Sequence, residues 1–127
     1  HLRPRRQRQM CIRDSSWLER NYKIELSMEM LKEAYDLRKN DPYITDSLGW
    51  GYYLINDFEN AEKYLKKAVE LMPYDPIVND HYGDILWKLN RKIQARYFWN
   101  NVLNLDETDD EMKIDVKKKI IYGIEKT

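Results

Sequence analysis

The sequence predicts an all-α fold, an α-α superhelix of tandem helix-turn-helix repeats closed by a C-terminal capping helix. Three observations carry this prediction: a 34-residue spacing between similar segments, proline directly after an aspartate at helix starts, and small residues at matched positions inside helices. A fixed period in this range is typical of stacked repeats, in which each unit covers the apolar face of the next. The 127 residues allow one such domain.

The 34-residue spacing superimposes one unit on the next. Identical residues that it brings together are Asp41-Pro42 and Asp75-Pro76, Asp46 and Asp80, Gly49 and Gly83, Asn56 and Asn90, Ala61 and Ala95, and Leu71 and Leu105. We therefore expect a partial first repeat at 15–41, a second at 42–75, a third at 76–107, and a capping helix at 108–127.

Each unit is expected to contain two helices. An aspartate at the helix start accepts hydrogen bonds from free backbone N–H groups, and proline fits the first helical turn, so a helix begins at Pro42. Its apolar spacing ends at Asn56, and a second helix runs from Phe58 to Met72 before Pro73 stops it. Because a helical glycine costs about 1 kcal/mol relative to alanine, Gly49 and its counterpart indicate close helix packing.

These residues resemble the tetratricopeptide signature. The second unit carries Leu48-Gly49, Tyr52, Ala61, Leu65 and Pro73, and the third carries Tyr82-Gly83, Leu86, Ala95 and Trp99 but has Glu107 where the family has proline. A preceding unit is visible as Ser27, Leu31, Ala34 and Leu37, with a truncated first helix around Trp17 to Asn21. More narrowly, the chain is similar to the C-terminal repeats of larger bacterial proteins. That resemblance leans towards the periplasm or envelope and leaves the cytoplasm open.

The resemblance implies a concave groove lined by the first helix of each unit. The expected partner-binding residues are Tyr43, Asp46, Trp50, Tyr53, Ile77, Asp80, Asp84 and Trp87. Some family members bind acidic C-terminal peptides through lysine and asparagine in this groove, but these positions carry tryptophan, tyrosine and aspartate here. We therefore expect a basic or apolar peptide or protein partner. The alternative interpretation is that the aromatic residues only pack between neighbouring helices.

Residues 1–14 resemble a translated sequencing adapter and are left out of the fold prediction. The whole chain has 22 basic and 22 acidic residues, and leaving out five arginines and one aspartate gives 17 basic against 21 acidic. An acidic domain does not favour nucleic acid, whose phosphates require clustered lysine and arginine. The single cysteine, Cys11, lies in the same segment, so no disulfide or thiolate site is expected.

The C-terminal segment is expected to form one further helix after the repeat stops at Asp106. Thr108 and Glu111 have the spacing of a capping box, with Thr108 as the N-cap. Four apolar residues then share one helix face: Met112, Val116, Ile120 and Ile124. The lysine run Lys117-Lys118-Lys119 is interpreted as a solvated face of this capping helix.

No residue pattern favours catalysis. Asp80, His81 and Asp84 suggest a metal or acid–base cluster, yet ligands from one helical turn rarely converge on one point. Gly49 and Gly51 follow no strand and so do not form a phosphate loop. No apolar stretch is long enough for a transmembrane helix, and no cofactor or small-molecule substrate is expected. The predicted function is a protein-interaction scaffold, with a structural end-cap of a longer array as the alternative.

Overall fold

The computed structural model describes residues 23–124, and these residues form six helices. The first, α1, covers residues 23–37 of the described chain. The others are α2 (Pro42–Leu54), α3 (Phe58–Leu71), α4 (Pro76–Lys88), α5 (Lys92–Asn104) and α6 (Asp110–Tyr122). The adapter-like segment at 1–14 and the expected helix around Trp17 to Asn21 lie outside the described residues.

The helices stack in chain order as a helical-repeat superhelix. Contacts join α2 with α3, α3 with α4, α4 with α5 and α5 with α6, and α2 also contacts α4. Successive neighbours therefore pack side by side, which is the arrangement that repeat proteins use to bury apolar faces. The predicted all-α class is confirmed. Within residues 23–124, every helix is too short or too polar to cross a membrane.

Aspartate side chains start three of the helices at equal spacing. Asp41 accepts hydrogen bonds from the backbone N–H groups of the first turn of α2, and Asp75 does the same for α4. Each aspartate is followed by a proline, as the sequence predicts. Asp109 caps α6 by accepting from the Met112 N–H at 2.8 Å. Helix starts thus recur every 34 residues from Pro42 through Asp110.

Asparagine residues end α2 and α4. Asn56 and Asn90 adopt φ angles of 66° and 65°, in the left-handed region. The N–H of the next residue, Asp57 or Arg91, then bonds to a carbonyl five residues back. These matched endings turn the chain sharply into α3 and α5. Helix α3 begins at Phe58 as predicted and ends one residue earlier than predicted, at Leu71.

The helical glycines bring paired helices into close contact. A Cβ on Gly49 would lie 2.7 Å from the Leu65 Cγ, and one on Gly83 would lie 2.5 Å from the Trp99 indole. Both neighbours belong to the second helix of the same unit. The expected packing reason for these glycines is therefore confirmed, with the large side chains of Leu65 and Trp99 as the nearest neighbours.

The core runs along the stack between these pairs. Fully buried side chains include Leu65, Ile85, Trp99, Val102 and Val116. Val116 belongs to α6, so the last helix shares the core, as the apolar face predicted for it requires. Met112, Ile120 and Ile124 pack against this core as partly buried residues.

The start of α6 differs from the prediction. Asp109, not Thr108, is the N-cap. The Thr108 hydroxyl is buried and donates to the Val102 carbonyl of α5 at 2.6 Å. The Val102 carbonyl also accepts from the Leu105 N–H at 3.3 Å, so the hydroxyl is its second donor at the end of α5, in the unit where Glu107 replaces the family proline. Because Asp109 lies 34 residues after Asp75, α6 stands at the position of the first helix of a fourth unit, which was not predicted.

Candidate functional site

The residues predicted to bind a partner lie on α2 and α4, the first helices of the two complete units. Tyr43, Asp46, Trp50 and Tyr53 belong to α2, and Ile77, Asp80, Asp84 and Trp87 belong to α4. Tyr43 and Ile77 expose 66% and 54% of their surface, whereas Asp84 exposes only 6%. The other five are of intermediate burial. The predicted binding residues therefore range from exposed side chains, such as Tyr43, to the buried side chain of Asp84.

A polar and aromatic layer joins α2 to α4. His81 Nδ1 lies 3.0 Å from Asp46 Oδ1 and 3.2 Å from Oδ2. The His81 ring also stacks on the Trp50 indole, with ring centroids 4.0 Å apart, and the Tyr53 ring stacks on the same indole at 4.4 Å. Trp50 is thus held by its neighbours before any partner arrives. The sequence indicated His81 only as a candidate for a metal or acid–base cluster, and this positioning contact was not predicted.

Lys119 of α6 reaches the two aspartates of α4. Its Nζ donates to Asp80 Oδ1 at 2.8 Å and to Asp84 Oδ1 and Oδ2 at 2.9 and 3.2 Å. Asp84 Oδ1 also accepts a hydrogen bond from the Trp99 indole Nε1 at 3.1 Å. The interpretation of Lys119 as part of a solvated face is therefore wrong, because its ammonium group is ion-paired inside the stack.

Burial and charge shift three pKa values in this network. Burial, followed by the nearby charge of Asp80, raises the pKa of Asp84 to about 6, against the lowering influence of Lys119 and Trp99. Burial acts to lower the pKa of Lys119, but the charges of Asp84 and Asp80 outweigh it and raise that pKa. Burial and the charge of Asp84 raise the pKa of Tyr53 to about 12.

Trp87 packs under α6 and beside α5. The ring centroids of Trp87 and Trp99 lie 5.6 Å apart. Lys92 Nζ and the Arg96 guanidinium lie 4.9 and 5.1 Å from the Trp87 ring centroid. A Cβ on Gly123, whose φ is 74°, would overlap the Trp87 indole. Trp87 is therefore enclosed on several sides, which limits what a partner could contact directly.

The open part of the site continues into an acidic hollow between α4 and α6. This hollow has a volume of about 530 Å³ and is lined by Asp80, Asp109, Glu111, Met112, Asp115 and Lys119. Four of the six lining residues carry carboxylates. Negative potential at this position favours cationic over anionic groups.

The three residues considered for a metal or acid–base cluster point to different neighbours. His81 contacts Asp46 on α2, whereas Asp80 and Asp84 both contact Lys119 on α6. Across residues 23–124, no three potential histidine, cysteine or carboxylate ligands come close enough to hold a metal ion. These three residues are close in sequence but contact different helices.

Lys119 was detectable in principle from the helical spacing of α6. It follows the fully buried Val116 by three positions and directly precedes the partly buried Ile120. Residues three apart share a helix face. Lys117 and Lys118 are exposed, as the predicted solvated face requires. Only the third lysine of the run turns inward.

Curated relatives match short parts of this chain. The aspartyl/asparaginyl beta-hydroxylase of Homo sapiens is 35% identical over 65 residues, which is 51% of this chain and 9% of that protein. The TPR repeat-containing protein PA4667 of Pseudomonas aeruginosa is 38% identical over 56 residues, or 44% of this chain and 9% of the relative. Anaphase-promoting complex subunit CDC16 of Saccharomyces cerevisiae is 46% identical over 39 residues, which is 31% of this chain and 5% of that protein. The chain thus spans less than a tenth of each.

A solved structure shares the fold. The first TPR of Spaghetti (RPAP3), bound to the HSP90 peptide SRMEEVD, superimposes with a TM-score of 0.67 over 83% of each chain at 17% sequence identity. No family model matches the sequence. The capped helix pairs at 34-residue spacing, together with the face along their first helices, define an α-helical repeat protein. The chain is thus similar in sequence to a protein named for its TPR repeats and shares its fold with a solved TPR structure.

Proposed function

We propose that this chain is a protein-interaction scaffold that binds a peptide or protein segment along the face formed by α2 and α4. The observation that carries the proposal is the exposure of Tyr43 and Ile77, which hold matching positions in successive units. Each lies one helical turn before a carboxylate, Asp46 or Asp80. Apolar surface beside fixed charges is the kind of surface that protein partners cover.

We further propose a basic or apolar partner. The hollow beside Asp80 is lined mainly by carboxylates, which would repel an acidic ligand. The structural neighbour is described with a peptide of sequence SRMEEVD, which carries three carboxylate side chains. In this chain the groove positions that bind acidic peptides in some family members carry tryptophan, tyrosine and aspartate instead. Lysine or arginine side chains flanked by apolar residues fit this surface better.

The covered residues take a supporting part in the proposal. Tyr53 stacks on Trp50, Asp84 bonds to Trp99 and Lys119, and Trp87 packs beneath Gly123. We assign these residues to positioning the face and holding α6. Direct partner contact is proposed for the remaining five: Tyr43, Asp46, Trp50, Ile77 and Asp80.

A peptide array probed with the full chain tests this proposal. The array carries lysine- and arginine-rich, apolar, and aspartate- and glutamate-rich peptides of equal length. We expect the basic and apolar peptides to bind, and Tyr43→Ser and Ile77→Ser each to weaken that binding by about tenfold. Both side chains are exposed, so these changes should leave the fold intact.

The matched control is Ile93→Ser on α5, whose side chain is 86% exposed and lies on a second helix of a unit. It removes the same kind of apolar surface from a different part of the molecule. Preference for acidic peptides would contradict the proposed partner class. Equal losses in the Ile77 and Ile93 variants would contradict the proposed face.

The second candidate function is a structural end-cap of a longer repeat array. Lys117 supports it, because this residue stands 34 positions after Gly83, where α2 and α4 have the glycines that admit a close helix partner. A lysine there disfavours another tightly packed helix of the same kind. An end-cap without a ligand would show no peptide binding that depends on Tyr43 or Ile77, while Trp50→Ala would lower its stability.

Catalysis forms no part of the proposal, because His81 and the two aspartates of α4 contact different helices. The relative that is named as a hydroxylase shares 9% of its length with this match. No nucleic-acid, cofactor or small-molecule site is proposed either. The division into repeats at 15–41, 42–75 and 76–107 and a cap at 108–127 is kept as part of the proposal.

A further inference from the structure

We propose that the surface of α4 and α5 beneath α6 is a helix-binding surface, that α6 occupies it within the chain, and that a partner helix of the same pattern competes for it. The pattern is two apolar residues one turn apart followed by a lysine, as in Met112, Val116 and Lys119. This inference goes beyond the proposed function, since it names a partner class for a second surface, which shares Asp80 with the face formed by α2 and α4.

The polar half of this surface recognises a lysine by direction as well as by charge. Asp80 and Asp84 both point their carboxylates at the Lys119 Nζ, over 2.8 and 2.9 Å. The Lys119 side chain is only 24% exposed. A partly desolvated ammonium group between two carboxylates makes stronger hydrogen bonds than an exposed ion pair does. A helix without a cation at this position would leave the two acidic side chains uncompensated.

The other half of the surface recognises the end of a helix. Arg96 of α5 donates from its Nε to the Ile120 carbonyl at 3.0 Å, near the C-terminus of α6. A cation placed there also interacts favourably with the negative end of the helix dipole. Gly123, which caps α6, lies against the Trp87 indole. The lysine, the C-terminal carbonyl and the capping glycine of α6 are thus contacted by different residues of α4 and α5.

The packing of α6 is lighter than that of the other first helices. Helix α4 packs closely against both α3 and α5, whereas within residues 23–124 α6 packs closely against α5 and meets α4 through side chains such as Lys119. Its opposite side exposes Ile114, Ile121 and Tyr122. A helix with one packed side separates from the stack more readily than a helix enclosed on two. Competition at this surface therefore requires release of a single element.

A labelled synthetic peptide with the sequence of residues 108–124 serves as the probe, and the full chain is its receptor. The tethered α6 competes with the peptide at high effective concentration, so the peptide should bind the wild-type chain weakly. We expect binding to be at least tenfold tighter to two variants that loosen α6. Lys119→Ala removes the ion pairs, and Gly123→Ala strains the cap against Trp87 while leaving both aspartates unchanged.

Matched controls come from the neighbouring lysine. Lys118→Ala in the chain changes the same charge on an exposed position and should leave peptide binding unaltered. In the peptide, replacing the residue corresponding to Lys119 by alanine should weaken binding at least tenfold, whereas replacing that of Lys118 should not. Circular dichroism of each variant verifies that helices remain.

Equal peptide affinity for the wild-type chain and both loosened variants would overturn the inference. So would equal affinity of the wild-type peptide and the peptide altered at the Lys119 position. This assay does not depend on Tyr43 or Ile77. Failure of the array experiment with success here would reject the proposed partner face alone, and the reverse result would reject the role of α6 alone.

Discussion

The carboxylate of Asp84 accepts a hydrogen bond from the indole nitrogen of Trp99 over 3.1 Å, and both side chains are buried. In the preceding unit the same two positions carry Trp50 and Leu65, which include no carboxylate. The third unit therefore differs from the second by a coupled change: the larger side chain brings an N–H donor into the core, and the acidic residue supplies its acceptor.

Removing this acceptor should destabilise the domain. Asp84→Ala leaves the Trp99 N–H unpaired in the core and takes one carboxylate away from Lys119. A buried polar group without a partner costs about 1–3 kcal/mol. We expect the free energy of unfolding, measured in urea at pH 7, to fall by about that amount. Asp84→Asn retains an oxygen acceptor, so its loss should be smaller. Equal losses in the two variants would show that the hydrogen bond is not the cause.

The raised pKa of Asp84 predicts a dependence of stability on pH. Its pKa is about 6 in the folded chain and about 3.9 in the unfolded chain. The folded state binds this proton more tightly, so the contribution to stability is present below pH 4 and is lost as pH rises through 6. About two pKa units correspond to about 3 kcal/mol.

Asp84→Asn supplies the reference for that measurement, because asparagine does not titrate. Relative to this variant, the wild-type chain should gain stability as the pH falls from 7.5 towards 4.5. Chemical unfolding at several pH values measures the difference. A difference that stays constant, or that favours the wild type at high pH, would reject the assigned titration.

Glycine-to-alanine changes should raise or lower the stability of the fold according to which atoms the new methyl group contacts. A Cβ on Gly83 would lie 2.5 Å from the Trp99 indole and 3.2 Å from the Ala95 carbonyl, and neither neighbour moves easily. Overpacking of this kind costs about 1–3 kcal/mol, which outweighs the helix preference of alanine. Thermal unfolding should show a lower midpoint for Gly83→Ala.

Gly51→Ala is the matched comparison. Its Cβ would meet the thioether sulfur of Met28, the flexible part of an unbranched side chain. If Met28 moves aside, the gain in helix propensity of about 1 kcal/mol offsets the contact. We expect a midpoint near or above that of the wild type. A loss as large as that of Gly83→Ala would mean that the Met28 side chain cannot move aside and that α1 is held rigidly against α2.

The asparagines that end α2 and α4 give a further test. Asn90 has a φ of 65°, which asparagine and glycine tolerate better than alanine does. We expect Asn90→Ala to lower the free energy of unfolding by about 1 kcal/mol and Asn90→Gly to leave it nearly unchanged. Guanidinium unfolding of the three chains checks this order. If alanine and glycine behave alike, the left-handed turn does not limit stability.

The sequence predicted the fold in its main lines because the determining signals are local. Asp41 and Asp75 start their helices through their own first turns, and Gly49 and Gly83 recur at the period of the stack. These residues act within one helix or one helix pair. Their effect can therefore be read from spacing.

The candidate site was less accessible to sequence reasoning because its contacts are long-range. Lys119 lies 35 residues from Asp84, and the identity of its partner depends on how α6 lies across α4. The pairing of His81 with Asp46 likewise joins two units. The capping-box prediction was wrong for a different reason: the Thr108 hydroxyl donates to the buried Val102 carbonyl of α5, six residues earlier in the chain, and not to its own helix.

The coupled pair of Asp84 and Trp99 limits how the two units can be recombined. A chimera that exchanges whole units keeps Asp84 and Trp99 together. A consensus sequence averaged over both units can instead combine the tryptophan of position 99 with the uncharged residue that the second unit has at the position of Asp84. The polar atom would then be stranded in an apolar interior. Similarity between the units thus predicts the shared architecture, whereas contacting residue pairs such as Asp84 and Trp99 are specific to one unit.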